Sequence, residues 1–282
     1  MEQASSRTDL SVLATLVPGL DDVLAGGLPI YSCTLLAGGP GTGKTVLAQH
    51  ILFNFLRHHG GSRALYLTAL SESRAKVIRH AQRFRFFDAA AFGEQVVYHD
   101  IGARLRGGRL ADGINGVMRS VEEYRAELVV IDSFRALRDL AAGPAEFRLF
   151  CYDLAERLAG ARSTTLLVGE YERDDVARYA EFAIADGILF LDLVEHPEGP
   201  ERQLRVLKFR GRAADLGRHP FVITEQGVWV LPRGGSPGGA AGPQQGGLPV
   251  DEAGQRSPPA ATGPPRGSLS LGPPRGRQAA GF

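Results

Sequence analysis

Eight consecutive residues, Gly38-Gly39-Pro40-Gly41-Thr42-Gly43-Lys44-Thr45, fit the spacing GxxxxGK[ST] in full. Glycines let successive backbone N–H groups turn inward around an anion. A helix beginning at the end of such a loop adds its positive dipole end. Within that frame Lys44 is placed to reach the β- and γ-phosphates of a nucleotide, and the Thr45 hydroxyl to ligate Mg²⁺. The backbone and side chains of Gly39, Pro40, Gly41, Thr42, Gly43, Lys44 and Thr45 are therefore the expected phosphate-binding set. A second run, Leu128-Val129-Val130-Ile131-Asp132-Ser133, is a buried-strand pattern ending in a carboxylate. At that distance from the first motif, Asp132 reads as the partner of Thr45 in holding magnesium.

The elements that must position these residues follow from apolar periodicity. Strand-length apolar runs occur at 31–37, 64–70, 95–99, 128–131 and 164–169. Helical patterns fall between them at 46–56, 74–84, 114–124 and 146–158. In the third helix Ile114, Val117, Met118 and Val121 take positions i, i+3, i+4 and i+7. This alternation implies βαβ crossovers, hence an α/β fold with a mainly parallel central sheet covered on both faces. Beyond residue 187 the pattern changes to strand runs at 187–194, 203–209, 220–223 and 228–231 with short connections. These read as a C-terminal antiparallel extension.

The chain has 282 residues, 44% hydrophobic and 22% charged, with a formal net charge of +1. Its last fifty residues, 233–282, hold 13 Gly and 9 Pro against five residues of Leu, Ile, Val or Phe. Such a segment buries too little apolar surface to offset its ordering entropy, so it reads as a disordered tail. Five Arg against one Asp and one Glu give the tail +3, leaving the rest of the chain at −2. A mildly acidic domain speaks against nonspecific nucleic-acid binding, which needs a basic field. The Arg104-to-Arg109 stretch is basic and glycine-rich but lacks an interleaved aromatic for base stacking. Cys33 and Cys151 have no CxxC partner and read as buried small hydrophobes. The first ten residues lack the apolar core of a signal peptide, and no apolar run reaches the ~18 residues of a membrane span. A soluble, cytoplasmic protein is expected.

Several ordered motifs carry a resemblance. The run Val17-Pro18-Gly19-Leu20-Asp21-Asp22-Val23-Leu24-Ala25-Gly26-Gly27-Leu28-Pro29 leads into the phosphate loop. With Tyr66-Leu67-Thr68-Ala69-Leu70-Ser71-Glu72-Ser73, Asp132-Ser133, Leu207-Lys208-Phe209-Arg210-Gly211 and Gly217-Arg218-His219-Pro220-Phe221-Val222-Ile223-Thr224, it resembles KaiC-like ATPases of the RecA superfamily. The resemblance covers about residues 12–232, which are taken as the ATPase domain, and excludes the tail. One departure is Leu16-Val17 where the usual pattern has Gly-Ile. The resemblance implies a RecA-like P-loop NTPase core that binds ATP with Mg²⁺. It also implies assembly into a homohexameric ring with nucleotide between subunits, read by a protein partner. Only one such domain is present, so neither a circadian role nor autophosphorylation follows.

The same resemblance assigns further residues. KaiC-like proteins carry paired acids after the second core strand; here these positions are Ser71 and Glu72. Glu72 is thus the expected general base or water-orienting group, with capping of the following helix as the alternative. The missing first acid leaves the hydrolysis rate open. Lys208 and Arg210, two apart in a strand, share one face. The resemblance implies that they reach the γ-phosphate held by a neighbouring subunit, as an arginine finger does; solvated charges on an edge strand are the alternative. Glu170, at a strand end, fits a polar sensor or a solvent-facing acid equally. A DNA-handling motor and a non-hydrolysing nucleotide-gated scaffold remain as competing functions.

Overall fold

The computed structural model describes residues 11–69, 74–102 and 110–232. Glu72, the basic stretch 104–109 and the tail 233–282 lie outside these residues. Two two-residue strands, β1 (Val12–Leu13) and β2 (Leu28–Pro29), form a small antiparallel ribbon ahead of the main sheet. The main sheet has nine strands. They are β3 (Cys33–Gly38), β4 (Ala64–Thr68), β5 (Val96–Asp100), β6 (Leu128–Asp132), β7 (Thr164–Glu170), β8 (Gly187–His196), β9 (Gly199–Phe209), β10 (Arg218–Thr224) and β11 (Gly227–Val230). Their spatial order is β11-β10-β9-β8-β3-β7-β6-β4-β5.

Strands β3, β4, β6 and β7 are buried on both faces because helices cover both, whereas the edge strand β5 is half-exposed. Alternate residues feed two separate cores. On one side Leu36, Leu128, Val130, Leu166 and Val168 pack with the helix Lys44–His58. On the other, Leu35, Ala37, Val129, Ile131 and Leu167 pack under the helices Leu110–Tyr124 and Pro144–Gly160. Strand β3 lies mid-sheet, every residue buried, between β7 and β8. The chain therefore leaves the sheet at Gly38 close to the carboxyl ends of β7 and β6, the crevice where open α/β sheets bind ligands.

The extension differs from its sequence reading in one respect. Strand β8 runs parallel to β3 (Thr34↔Gly187 to Gly38↔Leu191) and antiparallel to β9. It is the last strand of the parallel core as well as the first of the antiparallel part, and only β9, β10 and β11 are wholly antiparallel. An apolar run with a short following turn predicts its hairpin partner but not the direction of its other neighbour. The hairpin β10–β11 folds back over the helix Lys44–His58. There the Val228 N–H donates to His50 Nδ1 at 3.2 Å, and the His50 ring stacks on Phe86. Among the described residues no helix is long and apolar enough to cross a membrane.

Candidate functional site

The loop 38–45 leaves the end of β3 and enters the helix Lys44–His58. Its four glycines have two distinct roles. A Cβ on Gly38 (φ +144°) would collide with the Leu191 backbone, and one on Gly43 (φ +105°) with the Ile223 side chain. These two seat the loop against β8 and β10 and hold left-handed backbone that favours glycine. At Gly39 and Gly41 a Cβ would meet nothing within 4 Å. Both positions therefore leave open space beside the loop backbone. The loop is closed across its mouth by two side chains: Thr42 Oγ1 donates to the Gly39 carbonyl at 2.9 Å, and Lys44 Nζ to the same oxygen at 2.6 Å. Burial lowers the Lys44 pKa from its ordinary value, and Glu170 and Asp132 oppose that shift. The ammonium therefore sits in a partly desolvated place with two carboxylates near it.

The two residues expected to hold magnesium meet across 87 residues of sequence. Thr45 Oγ1 donates to Asp132 Oδ2 at 2.7 Å. Strand register explains the meeting, since Thr68↔Asp132 and Asp132↔Val168 bring β4, β6 and β7 to a common edge beside the loop. The Tyr66 hydroxyl donates to the same Asp132 oxygen at 3.0 Å. One carboxylate and one hydroxyl beside a phosphate cradle suit Mg²⁺, which keeps much of its water and takes few protein ligands. Among the described residues there is no group of three or more His, Cys, Asp or Glu that could hold a metal ion. A site of higher protein coordination is thus not present in that part of the chain.

These groups line one cavity of about 620 Å³, together with Gln49, Val77, His80, Phe84, Glu170, Arg202 and Ile223. Glu170 is paired in register with Gly38 and opens into this space. The sequence placed Glu170 at a strand end without choosing its role, and did not single out Tyr66 or Arg202 for this site. No local signal marks Tyr66 or Arg202, because their arrival depends on inter-strand register.

Lys208 and Arg210 do not enter this cavity. Phe209 pairs with Gly187, which pairs with Thr34 at the start of β3, whereas the loop leaves from Gly38 at its end. Four residues of strand separate the two levels, roughly 13 Å at the usual rise. Lys208 Nζ donates to the carbonyls of Phe182 at 3.2 Å and Ala183 at 2.7 Å. Arg210 pairs with Asp186 at 3.2 Å and also donates to the Ala183 carbonyl. Strand β9 ends at Phe209, so Arg210 lies in the turn that follows rather than two along the same strand as Lys208; the two cations meet instead at the Ala183 carbonyl, at the far end of the sheet from the chain's own loop. Both cysteines are free and buried, and burial pushes the Cys33 thiol up to about 12.

The signature 17–29 turns out to be architectural. Asp21 accepts from the Thr15 N–H (2.9 Å), the Thr15 hydroxyl (2.7 Å) and the Leu16 N–H (2.9 Å). Gly19, at φ +75°, lies so close to β11 that a Cβ would collide with the Val230 carbonyl.

Comparison with known proteins bears on the family to which these elements belong. A family model described as the KaiC ATPase matches residues 13–235. The UPF0273 protein of Thermotoga maritima is 32% identical over 247 residues, which are 79% of this chain and 97% of that protein. The UPF0273 protein PH0284 of Pyrococcus horikoshii is 32% identical over 77% of this chain and 93% of its own length. The circadian clock oscillator protein KaiC of Synechococcus elongatus is 29% identical over 82% of this chain but only 46% of its own length.

Proposed function

The chain belongs to the KaiC ATPase family, and on that premise we propose that it binds ATP with Mg²⁺ and hydrolyses it within a homohexameric ring whose state is read by a protein partner. The observation that carries the reading is one cavity lined by Gly41, Gly43, Lys44 and the Thr45–Asp132 pair. Residues 12–232 form the ATPase domain in this reading, and 233–282 a tail outside it.

Each group then has a defined task. Backbone N–H groups of the loop other than Pro40, which has none, would hold the phosphates, supported by the helix N-terminus. Lys44 exchanges the Gly39 carbonyl for β- and γ-phosphate oxygens, a move favoured because its present partner is neutral. Thr45 and Asp132 hold the magnesium, which supplies charge neutralisation on the phosphoryl oxygens. Tyr66 fixes the Asp132 carboxylate. Glu72 accepts the proton of the attacking water, a role resting on the family pattern alone. The family pattern assigns Lys208 and Arg210 to a neighbour's nucleotide, and their position at the far end of the sheet from their own loop is compatible with that assignment. In this reading a second copy completes the site, which is what the ring would supply.

The experiment is phosphate release and calorimetric ATP binding by the full chain beside Lys44→Ala. Loss of both in the variant, with an unchanged thermal transition, is expected. Equal phosphate release from the two proteins would sink the enzymatic reading. Mass measurement with and without ATP–Mg²⁺ tests the ring: a monomer mass under both conditions removes it.

A further inference from the structure

A buried ion pair lies between the two ends of the sheet. Glu181 is 1% exposed, in the short helix Ala180–Ile184. Its carboxylate accepts from Arg138 at 2.6 and 2.8 Å and from the Tyr171 hydroxyl at 3.0 Å. The Arg138 guanidinium lies over the Tyr179 ring at 3.7 Å and the Phe147 ring at 4.9 Å. A carboxylate this buried is maintained only with compensation, and two donor groups supply it through three hydrogen bonds. The Tyr171 hydroxyl is held as a donor, since burial and then Glu181 raise its pKa well above the ordinary value.

What the cluster joins is more informative than its strength. The Tyr171 N–H donates to the carbonyl of Gly38, the first residue of the phosphate loop, at 3.0 Å. Its ring folds back over Gly169, where a Cβ would strike it, and packs edge-on against Phe182 at 4.9 Å. Arg138 comes from the 3₁₀ segment Phe134–Leu140, two residues after Asp132. Glu181 is followed directly by Phe182 and Ala183, whose carbonyls hold Lys208 Nζ, and Ala183 also receives Arg210. Every step from the loop to the two cations is thus a hydrogen bond, a ring contact or adjacent backbone.

We propose that Glu181, through its pair with Arg138 and its bond to Tyr171, is a positioning residue that sets Lys208 and Arg210 in register with the chain's own phosphate loop. The proposal rests on the assignment of Lys208 and Arg210 to a neighbour's nucleotide. Movement of the loop on filling is passed by Tyr171 to the helix Ala180–Ile184, and that helix carries the acceptors of the two cations. A subunit's own nucleotide thereby governs the cations it offers next door. A shared rigid cluster is the kind of element through which such coupling travels.

The test measures steady-state ATP hydrolysis by the full chain for Glu181→Gln, for the apolar replacement Arg138→Met with Glu181→Leu, for Lys208→Ala, and for the last two combined. The apolar pair guards against a single variant that leaves a buried charge and fails to fold. We expect the Glu181→Gln and apolar-pair proteins to keep KM within about twofold while kcat falls about ten- to a hundredfold, the range for misplaced reacting groups. Because Glu181 acts through Lys208 and Arg210, the combined variant is expected to lose less than the product of the two separate effects. Wild-type kcat in the folded apolar pair overturns the proposal. So does a multiplicative loss in the combined variant, since a merely structural role would add its effect. If Lys208→Ala itself turns over normally, the assignment to the neighbour's site fails and takes the proposal with it, a result separate from failure of Glu181 alone.

Discussion

Two segments of this molecule are built from the same residue types and do opposite things. The signature 17–29 and the loop 38–45 both cluster glycines with positive φ, and each is completed by an aspartate. In the first, Gly19 and Gly27 are enclosed by backbone, so that a side chain would strike Val230 or Leu13. Its aspartate is saturated by donors from Thr15 and Leu16. In the second, Gly39 and Gly41 face open space, and its aspartate takes hydroxyl donors from Thr45 and Tyr66 at the edge of a cavity. What separates architecture from a ligand cradle is what a Cβ would meet, and whether the donors of the aspartate could be exchanged for a ligand.

The strongest way to break that distinction is alanine substitution of one glycine from each segment. Gly19→Ala puts a Cβ both in a left-handed backbone and against the Val230 carbonyl. A loss of about 3–5 kcal/mol, enough to leave little folded protein, is expected. Gly39→Ala meets no atom of the chain and should change unfolding free energy by no more than about 0.5 kcal/mol. The backbone there belongs to the loop assigned to phosphate, and a methyl group added to it should lower ATP affinity at least about tenfold, or ~1.4 kcal/mol. Urea titration and calorimetry of both proteins provide the measurement. Comparable stability losses would erase the difference between the segments.

A smaller effect comes from the aspartates. Asp21→Asn keeps the shape but weakens charge-assisted bonds to Thr15 and Leu16, with an expected cost of about 1–3 kcal/mol. Magnesium dependence of ATP binding per folded molecule should not change. Asp132→Asn should cost less stability and instead raise the magnesium concentration needed for binding by about tenfold or more. Reversal of that pattern would mean that Asp132 is the structural member.

The two segments were not equally legible in the sequence. The loop was read fully because its signal is local: a strand, a fixed glycine–lysine–threonine spacing, and a helix. Asp132 was read from a strand end at a suitable distance. The signature 17–29 was recognisable as a family mark, yet its structural purpose was hidden, because the Val230 carbonyl that demands Gly19 lies more than two hundred residues away. Register has the same effect elsewhere. Tyr66 and Arg202 reach the cavity by strand pairing, and Arg138 meets Glu181 across 43 residues. The parallel direction of β8 was misread for a related reason, since an apolar run does not encode which neighbour it will follow. Period two puts Lys208 and Arg210 on one face of a strand, but β9 ends between them, and only the sheet order puts them at the end away from their own loop.

His50 offers the mildest and most selective test, because it is an architectural group inside the helix that begins at the phosphate loop. Its Nδ1 accepts from the Val228 N–H, so the ring works as a neutral acceptor. Burial, and then the nearby Arg57, push its pKa down from 6.5 to about 4. The unfolded chain therefore binds the proton more readily than the folded one. The stabilising contribution is complete above about pH 6.5, declines as pH falls toward 4, and changes no further below that. Between pH 7 and pH 5.5 the loss from this one group should be about 1 kcal/mol. Replacing His50 by Gln should flatten that part of the stability profile while ATP affinity per folded molecule stays within about twofold. If the substitution instead moved a pH-dependent step of hydrolysis and left the stability profile alone, His50 would belong with the cradle and not with the signature. The line drawn between the two segments would then have to pass through the helix itself.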